Sequence, residues 1–537
     1  MTRASWLGTA IVLCVAVAAG ALAAPAASAP DLESTVVHVL NRVTFGPRPE
    51  DLARVRALGL EPWLERQLDP HALADDGVER LLAALPTLSK SIGDLQRQYP
   101  RPDSYMREMV ASGTMTPREF VERYPLEKRP ARIVAELEAA RLLRAVHSER
   151  QLQEVMVDFW FNHFNVFAHK GQVRWYVTSY ERDVIRPHAL GKFPDLLRAT
   201  ARHPAMLFYL DNWLSTRPDF TRQRGPDKGK KGGLNENYAR ELMELHTLGV
   251  EGGYTQHDVT AVARAFTGWT IDRVRKDARF VFRPAVHDTA EKTVLGTRLA
   301  AGGGQEDGER VLDLLAGHPA TARFVAGKLV RRFVGDAPPP ALVERVAGVY
   351  GDTGGDVRAM LRAVFTSGEF AAPGTRRSKI KKPFEFVASA VRSVGATADV
   401  RGAVTLARAT AEIGEPLLQA QPPTGYPDRA EAWVNAGALL ARMNFALALT
   451  EGRLPGVTAP VASLVTADER AQPRAALDRL LATLLHGEAT AETRAVLTAH
   501  LDDAELIRKT ADDRGPADTD IEKLAALVLS SPEFQRR

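Results

Sequence analysis

The sequence predicts a mainly α-helical protein, a large multi-helix globular body with one small β-hairpin. Beyond residue 30, apolar residues recur at helical spacing between breaks rich in Gly and Pro, and polar-apolar alternation is rare. The exception is residues 279–283, which favour a strand that pairs with residues 292–295 across a turn. With 45% apolar and 25% charged residues, the composition excludes collagen-like, coiled-coil and disordered classes.

Residues 1–29 are expected to be a secretory signal peptide and no part of the fold. An apolar run, residues 6–24, follows Arg3 and precedes small residues suited to cleavage. The alternative is a membrane anchor that is not cleaved. The run argues against an anchor because it is rich in Ala and only weakly apolar. The single cysteine, Cys14, lies in this run, so the mature protein would carry no thiol and no disulfide. We therefore expect a secreted or periplasmic protein, soluble after cleavage.

The charge balance limits the kinds of partner, and breaks in the helical pattern predict the domain boundaries. The chain has 70 Lys and Arg against 66 Asp and Glu, a net charge of +4 that is too small for a nucleic-acid partner. Residues 30–454 are expected to form the helical core domain. After a loop at residues 455–460, residues 461–537 are expected to form a C-terminal helical subdomain.

The first helix with unusual polar residues is predicted over residues 151–167. Its aromatic residues lie nearly all round the cylinder, so the helix should be buried on most sides. Asp158 and Asn162 form part of a narrow polar stripe, whereas His163 lies on the apolar side. Burying such groups unpaired costs about 1 to 3 kcal/mol each. They therefore either form an internal hydrogen-bond network or border a cleft, where Asp158 and Asn162 would bind substrate and His163 would be catalytic.

The second such helix begins at Asn235, a good N-cap, with Glu236 in its first turn. Glu236 and Arg240 form an i, i+4 pair that is either structural or, with Asn235, contacts a polar or anionic substrate. Glu241 instead lies on the apolar face. It must pair with a cation, bind a metal or take a raised pKa, which makes it a candidate general base or metal ligand. His246 is expected at the surface or behind the site.

A third candidate lies in the predicted turn, at His287 and Asp288, with Lys292 after it. Adjacent His and Asp on a loop can supply two metal ligands or an acid-base pair, and turn capping is the alternative. Lys292 is a candidate substrate-binding residue. The sequence contains no HExxH, no G-x-S-x-G, no Walker loop and no EF-hand pattern.

Several motifs, taken in chain order, carry a family resemblance. They include Asp-Phe-Trp-Phe-Asn-His-Phe-Asn-Val from residue 158, Ala-Met-Leu-Phe-Tyr-Leu-Asp-Asn from 205, Asn-Glu-Asn-Tyr-Ala-Arg-Glu-Leu-Met-Glu-Leu-His-Thr-Leu-Gly from 235, Thr-Gly-Trp from 267, and His-Asp at 287. Together they resemble the secreted bacterial family called domain of unknown function 1800, or DUF1800, from about His38 to Phe534. The resemblance implies export, a shared site, and a partner protein similar to alkaline phosphatases and sulfatases. In one departure, Gly425-Tyr426 stands where the family usually has Gly-Trp.

We expect the helix of His163, the helix of Glu241 and the turn of His287 to converge on one cleft. His163 and His287 would be acid-base groups or ligands there, and Asp288 would orient one of them. A divalent metal held by His and carboxylate groups, such as Zn, Mn or Fe, is one option. The expected function is a metal-assisted or acid/base hydrolase or transferase acting on an envelope polymer. One alternative is a non-catalytic envelope protein that binds a polysaccharide or the phosphatase/sulfatase-like partner. Another is haem binding through His163, which is suggested by its aromatic surroundings alone.

Overall fold

The computed structural model describes residues 32–102, 104–221, 229, 231–502 and 519–537. The predicted signal peptide at residues 1–29 lies outside these ranges, as does part of the C-terminal block. Among the described residues, no helix combines the length and the apolar character that crossing a bilayer requires.

Helices dominate the structure, which confirms the predicted fold class. In the first half of the chain they are α1 (Leu32–Val43), α2 (Asp51–Leu58), α3 (Leu60–Leu68), α4 (Asp76–Leu82), α5 (Ile92–Gln98), α6 (Ser104–Ala111), α7 (Pro117–Arg123), α8 (Ala131–His147), α9 (Gln151–His163), α10 (Val173–Ser179), α11 (Arg186–His188), α12 (Phe193–Arg202), α13 (Pro204–Tyr209), α14 (Asn237–Glu241) and α15 (Gln256–Ala265). In the second half they are α16 (Glu306–Ala316), α17 (Pro319–Phe333), α18 (Pro340–Thr353), α19 (Val357–Phe365), α20 (Gly368–Ala371), α21 (Pro383–Ser393), α22 (Val400–Ile413), α23 (Ala436–Thr450), α24 (Ala467–Arg470), α25 (Pro473–Leu484), α26 (Ala491–Ala499) and α27 (Ile521–Leu529).

The strands form three two-stranded antiparallel sheets in the described ranges. β1 (Trp269–Asp272) pairs with β2 (Arg279–Phe282), β3 (Lys292–Val294) with β4 (Thr297–Leu299), and β5 (Thr397–Ala398) with β6 (Val457–Thr458). The predicted pairing of the second strand with the third was wrong. Each instead pairs with its nearer neighbour in sequence, across a turn with a short connection, which is the usual preference of antiparallel strands.

Two π-helical segments, Tyr180–Ile185 and Leu242–Thr247, continue α10 and α14. The second one shifts the phase of the helix that carries Glu241. Leu248 donates its backbone N–H to Met243, five residues earlier, over 2.8 Å. A π-turn holds one more residue than an α-turn, so the residues after it face differently from those of a regular α-helix. His246 is turned inward by this shift and is only 2% exposed, which excludes the surface, one of the two positions that the sequence left open.

The core is built around α8 and α9, and it continues without interruption into the C-terminal helices. α8 packs against α22 and α21, α17 against α18, and α27 against α23. Residues 535–537 return beside residues 379–381, where Lys381 donates its backbone N–H to Gln535 over 2.9 Å. This pairing fixes the short segment that precedes α21. The boundary predicted at residues 455–460 stays a prediction.

Candidate functional site

A cavity of about 180 Å³ lies between α9, α17 and the loop of residues 424–429. The segment before α21 contributes Lys382 to its wall. Most of the lining residues have polar or charged side chains, and more of these are positive than negative. The charged and polar side chains are those of Asp158, Asn162, His163, Lys328, Arg331, Arg332, Lys382, Thr424, Tyr426, Asp428 and Arg429.

Part of this positive charge is neutralised within the protein. Lys382 pairs with Asp158 over 3.0 Å and with Glu415 over 3.3 Å. Arg332 pairs with Glu385, which lies behind the cavity wall. Among the described residues, no carboxylate oxygen lies within 4.0 Å of the side-chain nitrogens of the other three lining cations, Lys328, Arg331 and Arg429. The cavity therefore keeps a surplus of positive charge.

Asp158 is held in a buried ionic network, which uses it in a different way from the predicted substrate contact. Burial raises its pKa, but the charges of Lys382 and Arg141 more than offset this and lower the pKa below its ordinary value. Glu415 shares Lys382 with Asp158, and its pKa is raised by burial despite that lysine. The two acids thus behave as a pair around one lysine, with Asp158 the more acidic member.

Lys328 and His163 meet at the cavity wall. The Nε2 atom of His163 lies 3.1 Å from the carbonyl oxygen of His246, which can only accept, so Nε2 carries the ring proton. The other ring nitrogen, Nδ1, lies 2.9 Å from Nζ of Lys328 and accepts from it. Burial and the nearby Lys328 charge lower the pKa of His163 well below its usual value, so the ring is neutral.

Lys328 itself is an amine with a depressed pKa. Burial lowers the pKa of Lys328 to about 8, with Asp428 opposing this shift and Arg331 adding to it. The Nζ atom also lies 5.4 Å from the ring centroid of Phe324, one helical turn earlier on α17. Sequence reasoning missed Lys328. The available signal was a lysine four residues after a phenylalanine, a spacing that places both on one side of a helix.

Two asparagines, one in α9 and one just after its end, hold the loop over the cavity and the residues that precede the loop. Asn162 accepts from the backbone N–H of Tyr426 over 2.7 Å and donates to its carbonyl oxygen over 2.8 Å. Asn165 donates to the carbonyl oxygens of Ala420 and Pro422. Gly425 has a φ of +69°, and a Cβ there would overlap the backbone oxygen of Asn162. Asn162 was predicted to bind substrate, but its side-chain amide holds the loop in position.

Tyr426 occupies the position where the sequence resemblance leads one to expect a Trp. Its hydroxyl donates to the carbonyl oxygen of Pro416 over 2.7 Å. Its ring packs edge-on against Trp433, with 5.8 Å between the ring centroids. The smaller ring is therefore anchored by a hydrogen bond to its own loop and still lines the cavity.

Glu241 does not line the cavity. It is half-buried, and burial together with the neighbouring Glu244 raises its pKa, against a smaller opposite effect of Arg240. The helical stretch that carries Glu241 does meet α9, as predicted, but the contact is made by His246. The ring centroids of His163 and His246 lie 6.1 Å apart.

The other polar residues of this helix link it to its surroundings. Glu236 accepts from Gln256 over 2.7 Å and from Thr260 over 2.9 Å, which joins the start of the helix to α15. Arg240 also reaches Gln256, over 2.9 Å. Asn235 was predicted to be the N-cap, but the helix begins later, at Asn237, and Asn235 accepts from the Asn237 backbone N–H over 2.9 Å. These three predicted substrate-binding residues thus make contacts within the protein.

His287 belongs to a separate buried cluster between the second hairpin and α16, and not to the cavity. Its Nε2 atom lies 3.3 Å from Asp307, and the same carboxylate oxygen accepts from Lys292 over 2.8 Å. Asp288 forms a bidentate ion pair with Arg264, at 2.7 and 3.1 Å. The structure therefore brings α9 and the helix of His246 together but leaves His287, Asp288 and Lys292 elsewhere. Sequence reasoning missed Asp307, whose carboxylate joins Lys292 and His287.

No group of three or more His, Cys, Asp or Glu side chains is arranged to hold a metal ion in the part of the chain that the structure describes. A family model described as a protein of unknown function, DUF1800, matches residues 38–536. No curated protein and no solved structure matches the chain.

Proposed function

Since this chain belongs to the DUF1800 family, whose function is unknown, we propose its function from the cationic cavity. The cavity binds an anionic group of the substrate, and Lys328 carries out acid/base chemistry on the bound molecule. The protein is then a hydrolase or transferase, and the substrate is an envelope polymer or a fragment of one. The predicted export of the chain supports that substrate class.

The surplus of cations supports anion binding. A charge pair at 4 Å is worth about 4 kcal/mol at an effective dielectric constant near 20, which is a typical value near a protein surface. Arg331 and Arg429 offer planar donor groups suited to phosphate, sulfate or carboxylate oxygens. A bound anion would bring negative charge close to Lys328, Arg331 and Arg429, which have no carboxylate oxygen within 4.0 Å among the described residues.

The single observation that carries the catalytic part is the position of Lys328. It lines the cavity, it has no carboxylate partner within 4.0 Å in the described part of the chain, and its pKa of about 8 keeps both protonation states populated near neutral pH. His163 cannot share this task, because both of its ring nitrogens are occupied and its pKa is lowered well below the ordinary value. His163 is a positioning residue that holds the Lys328 amine.

One observation favours a second function, binding without catalysis. Asp158, Asn162 and Asp288, all predicted site residues, are held by partners inside the protein. A site whose acids are paired and whose cations are partly unpaired suits a non-catalytic envelope protein that binds an acidic polysaccharide or the phosphatase/sulfatase-like partner.

Calorimetric titration of inorganic phosphate into the purified protein tests the anion site. We expect saturable binding that weakens with added salt, because salt screens charge interactions. Lys328→Met and Arg331→Gln should each weaken binding at least tenfold. Lys276→Met, at an exposed lysine in the turn after β1, is the control and should leave binding unchanged. Equal binding by all four proteins would overturn the proposal.

A further inference from the structure

The hydrogen bonds of Lys328 define how its amine faces the cavity. The only hydrogen-bond partner of Nζ among the described residues is Nδ1 of His163, which accepts. That bond uses one N–H of the amine. If Lys328 loses a proton, the neutral amine can keep this bond with one of its two remaining hydrogens. The nitrogen lone pair is then free of any acceptor role toward the protein.

Lys382, in the same cavity, is the opposite case. It is paired with Asp158 and Glu415, and these carboxylates raise its pKa, which keeps the ammonium protonated. Lys328 has no such partner among the residues that the structure describes, so it is the lysine of this cavity that can act as a neutral amine. The cavity wall thus contains one lysine held as an ammonium by carboxylates and one without a carboxylate contact.

We infer that Lys328 is a nucleophile that forms an imine with an aldehyde or ketone bearing a negative charge. The inference rests on the proposed function, and it names the substrate class of that site. The neighbouring Arg331 and Arg429 bind the negative group, and the Lys328 amine meets the carbonyl carbon. A sugar acid in its open-chain form or a 2-oxo acid has this combination of groups.

The covalent step is balanced without an oxidant or reductant. The lone pair of Nζ attacks the carbonyl carbon, a C–N bond forms, and the C=O π electrons move to oxygen. A proton passes from nitrogen to that oxygen to give the carbinolamine. The hydroxyl then leaves with a further proton as water, and the imine remains, which water hydrolyses in the reverse direction.

Reductive trapping tests this inference. The full-length protein is incubated with glyoxylate, a small anionic aldehyde, in the presence of sodium cyanoborohydride, and the modified lysines are identified by peptide mass spectrometry. We expect a carboxymethyl adduct on Lys328 at least tenfold above that on Lys382 or on the exposed Lys276. Inorganic phosphate should compete with the labelling. Propionaldehyde, which has no charge, should label Lys328 at least fivefold less.

Lys328→Arg separates the inference from the proposed function. Arginine keeps the positive charge but provides no imine-forming amine, so this variant should still bind phosphate and should give no adduct at position 328 or Lys382. Phosphate binding by the wild type without selective labelling of Lys328 would overturn the imine inference and leave the anion site standing. Absence of both phosphate binding and selective labelling would overturn both.

Discussion

The side-chain amide of Asn162 brackets the backbone of Tyr426, with its oxygen 2.7 Å from the N–H and its nitrogen 2.8 Å from the carbonyl oxygen. One side chain of α9 thus makes the two hydrogen bonds to the Tyr426 backbone that a neighbouring β-strand would make in a sheet. Because this loop forms one wall of the cavity, the geometry of the cavity depends on a contact outside the charged groups themselves.

Asn162→Ala should destabilise the protein by about 1 to 3 kcal/mol, because it leaves the Tyr426 backbone groups without their partners. It should also weaken phosphate binding, since the loop that carries Arg429 is released. Urea denaturation and calorimetry measure the two effects. Asn237→Ala, at an exposed asparagine, is the matched control. Equal stability of the two variants would show that Asn162 does not hold the loop.

Gly425→Ala should destabilise the protein by about 2 kcal/mol or more, because φ is +69° and the added Cβ overlaps Asn162. Gly348→Ala provides a contrast. Gly348 lies in α18 with no atom within 4 Å of an added Cβ, so alanine there should stabilise by about 0.4 to 1 kcal/mol. Thermal unfolding measures both, and shifts of the same sign would contradict the prediction.

Lys382→Met should destabilise the protein by about 3 to 5 kcal/mol, because it leaves Asp158 and Glu415 buried without their cation. Lys170→Met removes a partly exposed pair with Asp211 and should change stability by no more than about 1 kcal/mol. The free energy of unfolding in guanidinium chloride measures the difference. A loss below 1 kcal/mol for Lys382→Met would mean that the network contributes little.

The fold should lose stability in mild acid because of His246. Burial lowers the pKa of His246 to about 3, with Lys328 adding to the shift, so the native state holds this ring neutral. The unfolded chain binds the proton near pH 6.5, so the stabilisation is complete above that value and is lost as the pH falls toward 3. His246→Gln should reduce the slope of stability between pH 6 and 4 by about 1.4 kcal/mol per pH unit.

His257→Gln, at an exposed histidine, is the control for that slope and should leave it unchanged. The free energy of unfolding is measured in urea at several pH values for the three proteins. An unchanged slope in His246→Gln would indicate that this ring is accessible to protons in the folded protein.

Labelling of Lys328 by glyoxylate should increase from pH 7 to 9, because the neutral amine is the reactive form and the pKa of Lys328 is about 8. The groups facing it are His163 and His246, whose pKa values burial lowers, together with Asp428, whose pKa is also lowered, and the guanidinium of Arg331. Asp428→Asn should move the midpoint to lower pH, and Arg331→Gln should move it to higher pH. Rates of adduct formation, measured by mass spectrometry, give the midpoints. If both variants moved the midpoint in the same direction, the electrostatic explanation would be refuted.

The sequence was sufficient for the helical fold and for the burial of α9, because both follow from periodicity in neighbouring residues. The position of His246 was not predictable in this way, since the π-helical segment changes the helical phase and leaves no mark in the apolar pattern. Likewise, Lys328 and Asp428 become site residues only through long-range packing of α17 and the 424–429 loop on α9. The predicted strand pairing was wrong because residues 279–283 and 292–295 were paired with each other, and the strands nearer to each of them in sequence were not recognised.

The pairing of residues 535–537 with residues 379–381 also has a consequence for the order of folding. The segment that presents Lys382 is synthesised well before its partner leaves the ribosome. Contacts between such distant parts of a sequence form slowly. A nascent or C-terminally clipped molecule would therefore carry every charged side chain of the cavity before the segment that presents Lys382 is fixed in place.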